Sequence, residues 1–318
     1  MILVCGEALV DLVEVAGGSE APMLRSLPGG SPANAAVALA RLGENVALCT
    51  RLGEDACGDL VRHYLEHNGV DLSYVVAAAE PTTLALVSLS SGGDARYAFY
   101  FDATAGACWQ PGDAPASSAS FTAVHLGSMS LASLAGRRVL GDFVASLGEQ
   151  VTISLDPNVR LSVVADVPQY RADLERLVGR ADLVRVSGED LELLYPDRPV
   201  AASGAAWASL GPRLLVVSQG AAGPLVFFGD EHFSLVSPVV EVVDTVGAGD
   251  TYSAALLHCF SRAGLLAERL AGVGRRDVDE ALAYAAAAAS ITCERQGADP
   301  PTAAEVSARL ASQAGTGS

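Results

Sequence analysis

Residues 244–257 read DTVGAGDTYSAALL, with two acids, two threonines and two glycines in the first eight positions. An apolar stretch follows at once. Asp, Gly and Thr are poor inside a helix and good at its start. The spacing predicts a tight turn that opens a helix over 248–262, with Asp250 in its first turn. A helix start aims free backbone N–H groups outward and carries the positive end of the helix dipole, so negative charge is welcome there. Gly247, Ala248 and Gly249 leave the backbone bare at that point. Such donors would stabilise the equatorial oxygens of a phosphoryl group in transfer. Asp250, beside them, could take the proton of an alcohol nucleophile.

A second stretch, PGGSPANAAVALARLG at 28–43, predicts a helix over 32–42. Ser31 is a good N-cap, Pro32 a good first helical residue and Gly43 a good stop. Those features leave Gly29, Gly30 and Asn34 unexplained. Paired glycines permit close approach of a ligand, or a hinge. An Asn in a first turn can donate and accept at once, as a sugar hydroxyl requires. On the residues alone, a turn with a capped helix accounts for the stretch equally well.

The chain has 318 residues, half of them hydrophobic, which suits one α/β domain with a large core. Its formal net charge of −17 argues against a nucleic-acid surface and against an anionic membrane. It has no lysine; all 20 basic residues are arginine. A P-loop lysine is therefore excluded, and phosphate must be handled by backbone N–H groups, a metal or arginine. The six cysteines form no C-x-x-C and read as small buried hydrophobes in a reducing compartment, the cytoplasm. The opening MILVCGEALVDL reads as a first strand rather than a signal peptide. His63 and His67 are four apart on a predicted helix but have no third ligand, and Trp109 and Trp207 are expected to pack.

Short β-branched runs alternate with Ala/Leu-rich stretches. MILVC, VALCT, AVHLG, VTISLD, DLVRVS and RLLVVSQG predict buried strands. Helices are predicted near 32–42, 55–68, 133–147, 170–179, 188–195, 201–209, 248–262, 277–294 and 302–311. That alternation implies a parallel sheet covered on both faces, with ligands outside the carboxyl ends of its strands. EALVDLVEV and TTLALVSLSSGGDARYAFYF instead alternate apolar and polar residues, which predicts a small separate sheet with a hairpin turn at 91–93. The 102–120 stretch reads as a surface connection.

GGSPANAAVALARLG and DTVGAGDTYSAAL, in this order and spacing, resemble the two signatures of the ribokinase-like (PfkB-type) carbohydrate kinases. GEALVDL, DPNVR at 156–160 and VVSQGAAGPLVF at 216–227 agree, so the resemblance covers nearly the whole chain. It implies one three-layer α/β/α domain over 1–318, with a mostly parallel central sheet and a small β-sheet lid from about 9–16 and 84–101. It implies transfer of the γ-phosphoryl of ATP, with Mg²⁺, to a sugar hydroxyl. By motif, Asp250 would be the base and residues 247–249 the anion hole. Asp11, Gly29, Gly30 and Asn34 would hold the sugar, with Phe99 and Phe101 closing over it and Arg160 reaching it. Ser187, Ser218, Gly220 and Gly223 would line the nucleotide. The family's N-x-x-E is SGED here, so Asp190 would serve the metal, one methylene shorter. Asp244 and the Val246 carbonyl resemble part of a monovalent-cation site, which leaves K⁺ dependence open.

Ser31-Pro32 in place of G-G-K, with VSGEDLELLYP and CERQGADPP, resembles the fructokinase branch. The substrate implied is D-fructose, and the product fructose 6-phosphate. An inward pair of Arg96 and Arg160 would instead suit a carboxylated sugar such as 2-keto-3-deoxygluconate; ribokinase and nucleoside kinase rank lower. A degenerate kinase that binds without turnover is the alternative favoured by SGED. A nicotinamide-dependent dehydrogenase is disfavoured because the first turn lacks G-x-G-x-x-G. The partners implied are a sugar and ATP, with no nucleic acid or membrane; a homodimer is one assembly the resemblance allows.

Overall fold

Strand β1 (Ile2–Cys5) shows how the layers arise. Ile2 and Val4 enter one hydrophobic cluster, Leu3 and Cys5 a second one on the opposite face. Side chains alternate across a strand, so a strand apolar at every position must be covered twice. The computed structural model describes residues 1–15, 23–89 and 95–315, and the hairpin turn expected at 91–93 lies outside them.

In chain order β1 is followed by β2 (Leu9–Val15), β3 (Met23–Gly29), α1 (Ser31–Arg41), β4 (Val46–Gly53), α2 (Ala56–His67) and β5 (Val75–Ala78). Then come β6 (Leu84–Leu89), β7 (Ala95–Tyr100), β8 (Ala123–Gly127), α3 (Leu134–Ser146), β9 (Thr152–Asp156) and α4 (Val167–Val178). The remainder is β10 (Leu183–Ser187), α5 (Gly188–Leu194), α6 (Val200–Ala208), β11 (Leu214–Ser218), β12 (Leu225–Phe228), β13 (Glu231–Ser234), α7 (Ala248–Arg262), α8 (Arg275–Cys293) and α9 (Ala303–Gly315).

The main sheet has the order β13-β12-β11-β10-β9-β8-β1-β4-β5. Every pairing from β11 to β5 is parallel, and β12 and β13 extend the β11 edge antiparallel. One face packs on α1, α2, α7 and α8, the other on α3, α4, α5 and α6. The strand order reverses beside β1, which has β4 on one side and β8 on the other. A crevice outside the strand ends is expected at such a switch point. A second sheet has the order β3-β2-β6-β7. Leu9, Ala85 and Phe101 join this small sheet to Met129 and Ala132 of the main body.

Several expectations are corrected. The small sheet includes Met23–Gly29, which the sequence reading left out. The 102–120 stretch is not merely a surface connection. Thr104, Ala105 and Trp109 are buried, and the Trp109 indole donates to the Gly106 carbonyl and the Ser130 hydroxyl, 3.1 Å each. Phe101 is core rather than a residue free to close over a ligand. Cys5 and Cys49 are buried, while the other four cysteines are only half-buried. Among the described residues no helix is long and apolar enough to cross a membrane.

Candidate active site

The carboxyl ends of β1, β8, β9, β10 and β11 converge with the N-termini of α1 and α7. Asp250 stands in the first turn of α7, buried. Its Oδ1 accepts from the Ser31 hydroxyl at 2.6 Å and its Oδ2 from the Asn34 amide at 2.9 Å. Ser31 is thus not the N-cap of α1. Gly30 caps the helix, at φ 102°, and the Ser31 hydroxyl is spent on a residue more than two hundred positions away. Burial pushes the Asp250 carboxyl up and the Asp156 charge adds to this; the Ser31 and Asn34 bonds and Arg185 pull back, but the net direction is upward.

The paired glycines have separate reasons. A Cβ on Gly29 would stand 2.1 Å from the Asp11 Oδ2, so Gly29 makes room for that carboxylate. A Cβ on Gly30 would stand 2.8 Å from the Glu7 carbonyl, and the positive φ disfavours any side chain there. Asp11, on β2, has its carboxyl raised to about 6 by burial, with Arg160 opposing and Asp250 adding. Phe99 is half-buried on β7 and stacks on Tyr97 with ring centroids 5.8 Å apart. Arg160 is half-buried, donates to its neighbour's carbonyl at 2.9 Å and acts electrostatically on Asp11 and Tyr97. Arg96 is exposed, so the inward arginine pair does not form.

Gly247 caps α7 in the left-handed region at φ 77°. The Ala248 N–H turns back to the Thr245 carbonyl at 3.2 Å. The amides of Gly249 and Asp250 have no acceptor inside the helix, so they can donate to a group placed at its start. Asp244 organises the turn: its two oxygens accept from the Val246 and Gly297 amides at 3.0 and 2.9 Å.

In the SGED segment the Ser187 and Asp190 side chains are engaged within the fold. Ser187 caps α5, and Asp190 completes a capping box with it. Asp190 Oδ1 accepts from the Val159 amide at 2.8 Å and Oδ2 from the Ser187 amide at 3.1 Å. These bonds tie the DPNVR loop to β10, and the Ser187 hydroxyl is likewise engaged by the Asp190 amide. Ser218 ends β11, and Gly220 and Gly223 follow at φ 53° and 84°. A Cβ on Gly223 would stand 1.9 Å from the Leu235 carbonyl, so that turn also requires glycine. Among the described residues no group of three or more His, Cys, Asp or Glu is arranged to hold a metal ion.

The sequence reading missed two residues here. Arg185, on β10, reaches Asp156 at 3.2 Å and the Ser218 hydroxyl at 2.5 Å. Glu7, at the corner between the two sheets, is buried and accepts from the Ser130 amide at 3.1 Å. The available signal was a charge inside an otherwise apolar segment, because a buried charge demands partners.

A profile of the pfkB family carbohydrate kinases matches residues 1–304. The chain belongs to the pfkB family of carbohydrate kinases. A fructokinase of Rhizobium leguminosarum bv. trifolii is 34% identical over 269 residues, 85% of this kinase and 82% of the relative. Fructokinase-1 of Oryza sativa subsp. japonica is 31% identical over 316 residues, 96% of each chain. Among solved structures, a Vibrio cholerae O395 fructokinase double mutant with fructose, ADP and potassium ion bound has a TM-score of 0.85 at 27% identity, covering 97% of each chain. A fructokinase from Xylella fastidiosa with bound ATP has a TM-score of 0.86 at 25% identity, covering 98% of each. The kinase therefore carries the ribokinase-like fold that its sequence predicted.

Proposed function

We propose that this kinase transfers the γ-phosphoryl group of ATP to the 6-hydroxyl of D-fructose. The observation that carries the reading is the Asp250 carboxylate, buried beside the bare amides at the start of α7 and facing Ser31 and Asn34 of α1. An alcohol placed there can give its proton to Asp250 while its oxygen attacks phosphorus in line. The Gly249 and Asp250 amides receive the charge on the equatorial oxygens. A carboxyl raised by burial is a stronger base than an exposed Asp, which suits proton removal near neutrality.

Asp11, Gly30 and Asn34 hold sugar hydroxyls, and the small sheet, with Phe99, covers them and keeps water out. Ser218, Gly220 and Gly223 border the nucleotide. A magnesium ion would be held mainly by the ATP phosphates, with Asp156 and Asp190 in reach only through water. When bound it offsets charge on the phosphate oxygens. Asp244 and the Val246 carbonyl are proposed as part of a monovalent-cation site. Fructose is favoured over 2-keto-3-deoxygluconate because Arg96 is exposed and Arg160 stands beside Asp11, which offsets its charge. The fructokinases among its relatives and structural neighbours support the same choice.

The test is ADP release with fructose, ribose and 2-keto-3-deoxygluconate side by side. Fructose should give the highest kcat/KM. Asp250→Asn should lower kcat by at least ~10²-fold with little change in fructose binding. Near-normal turnover in that variant would reject the assigned base, and ADP release with none of the three sugars would reject the reading.

A further inference from the structure

The middle of β10 carries an arginine where its neighbours on the strand are apolar and buried. The Arg185 side chain is 13% exposed, and a charge so placed is tolerated only with partners. Its partners are modest. Asp156 lies 3.2 and 3.5 Å from Nη1, long for a charged pair, and Asp156 also accepts from the Ser253 hydroxyl at 2.8 Å. Nη2 donates to Ser218, and the buried Nε has no acceptor. The guanidinium has bonding capacity left over.

Its position says where that capacity points. A Cβ on Gly249 would stand 2.5 Å from Arg185 Nη1, 2.8 Å from Cζ and 2.9 Å from Nη2. The guanidinium therefore lies flat against the backbone of the second cradle glycine. A side chain at 249 would displace the guanidinium from this position. On its other side the group reaches Ser218, at the strand end that borders the nucleotide. It thus spans from the α7 amides to the nucleotide track.

The local charge requires such a group. Asp156, Asp190 and Asp250 all act electrostatically on Arg185, and against burial they hold its pKa above the ordinary arginine value. A polyphosphate entering among three carboxylates meets repulsion that half a charge of helix dipole does not offset. The chain has no lysine to help.

We propose that Arg185 is a catalytic residue that binds the migrating phosphoryl group, exchanging its long contact with Asp156 for phosphate oxygens when the nucleotide is bound. The inference rests on the reading of the α7 start as the phosphoryl cradle. In the transfer the sugar oxygen bonds to the γ-phosphorus and the bond to the β,γ-bridging oxygen breaks. The proton passes to Asp250, and ADP leaves with the bond's electron pair. Arg185 undergoes no covalent change; its fork donates to oxygens whose charge is shared between cradle and leaving group. Asp156, held by Ser253, is its resting partner.

The experiment compares wild type, Arg185→Met and Arg185→Lys by calorimetric titration with ATP and with AMP, and by steady-state ADP release. The ratio of ATP to AMP affinity isolates the outer phosphates. In Arg185→Met that ratio should fall at least ~10-fold and kcat ~10²-fold, while KM for the sugar stays within about twofold. Arg185→Lys restores the charge but not the fork, and should recover part of both losses. A purely structural arginine would depress ATP, AMP and sugar affinity together and leave the ratio unchanged. If Arg185→Met does not fold, Arg185→Lys decides: wild-type kcat and ratio in that variant would overturn the proposal. So would a wild type that binds AMP as tightly as ATP. A wild type that releases no ADP with any sugar, yet whose ATP preference depends on Arg185, would overturn the sugar-kinase reading and leave Arg185 as a phosphate ligand.

Discussion

Asp250 is held by two hydrogen bonds, and both favour its ionised form. The Ser31 hydroxyl is the closer donor, at 2.6 Å. On the proposed reading a sugar hydroxyl takes over this bond to the base, so Ser31 supports the carboxylate until substrate arrives. A hydrogen bond to a charged acceptor contributes about 1.5–3 kcal/mol, and one pKa unit corresponds to about 1.4 kcal/mol. Removing the hydroxyl leaves burial and Asp156 less opposed, so the Asp250 carboxyl should rise further. As the proposed base Asp250 acts deprotonated, so activity is lost as pH falls through its pKa. In Ser31→Ala the acid limb of the kcat/KM–pH profile should move to higher pH, while kcat/KM on the alkaline plateau is kept. A limb that stays in place would show that the hydroxyl does not tune the base.

At the scale of elements, Asp190 belongs to the joint between β9, β10 and α5. Its oxygens satisfy the amides of Val159 and Ser187, and no other acceptor replaces them if the side chain is cut back. Asp190→Ala should cost about 2–4 kcal/mol in urea unfolding, the sum of a lost cap and a buried unpaired amide. Asp190→Asn keeps one acceptor and should cost about half as much. An Asp190→Ala variant as stable as wild type would remove the joint from the account. This joint also marks where sequence reading stops. The parallel strands were legible because burial on both faces demands apolar runs, and ILVC of β1 and LLVV of β11 supply them. α7 was legible to the residue because its start and its apolar periodicity agree. β3 was not, because its first four residues are exposed and its existence depends on pairing with β2. β12 and β13 form an edge hairpin whose half-exposed residues carry no clear period. In the site, Asp250 and the glycines were readable as a local turn. The Ser31 bond and the Arg185 contact were not, because each joins residues far apart in the chain that only folding brings together.

Across the whole molecule the two sheets meet at one corner, and that corner is built on a buried acid. Glu7 follows β1 of the main sheet and precedes β2 of the small one. Its carboxylate accepts from the Ser130 amide, in the turn that packs under the small sheet, and its carbonyl lies against Gly30. Burial raises its carboxyl from 4.5 to about 7, against the pull of the Ser130 amide. The folded pKa is above the unfolded one, so the native protein holds this proton more tightly. That contribution to stability is complete below pH ~4.5 and is lost as pH rises through ~7; a shift of this size amounts to about 3 kcal/mol. Glu7→Gln keeps the acceptor for Ser130 and removes the titration. The unfolding free energy of the variant, measured against wild type from pH 4.5 to 8.5, should therefore gain on it steadily, by about 3 kcal/mol over that interval. Asp11, also raised by burial, titrates in both proteins and cancels from the difference. A difference independent of pH would mean that the corner carries its proton in the unfolded chain as tightly as in the folded one. The junction of the sheets would then make no pH-dependent contribution to the stability of this kinase.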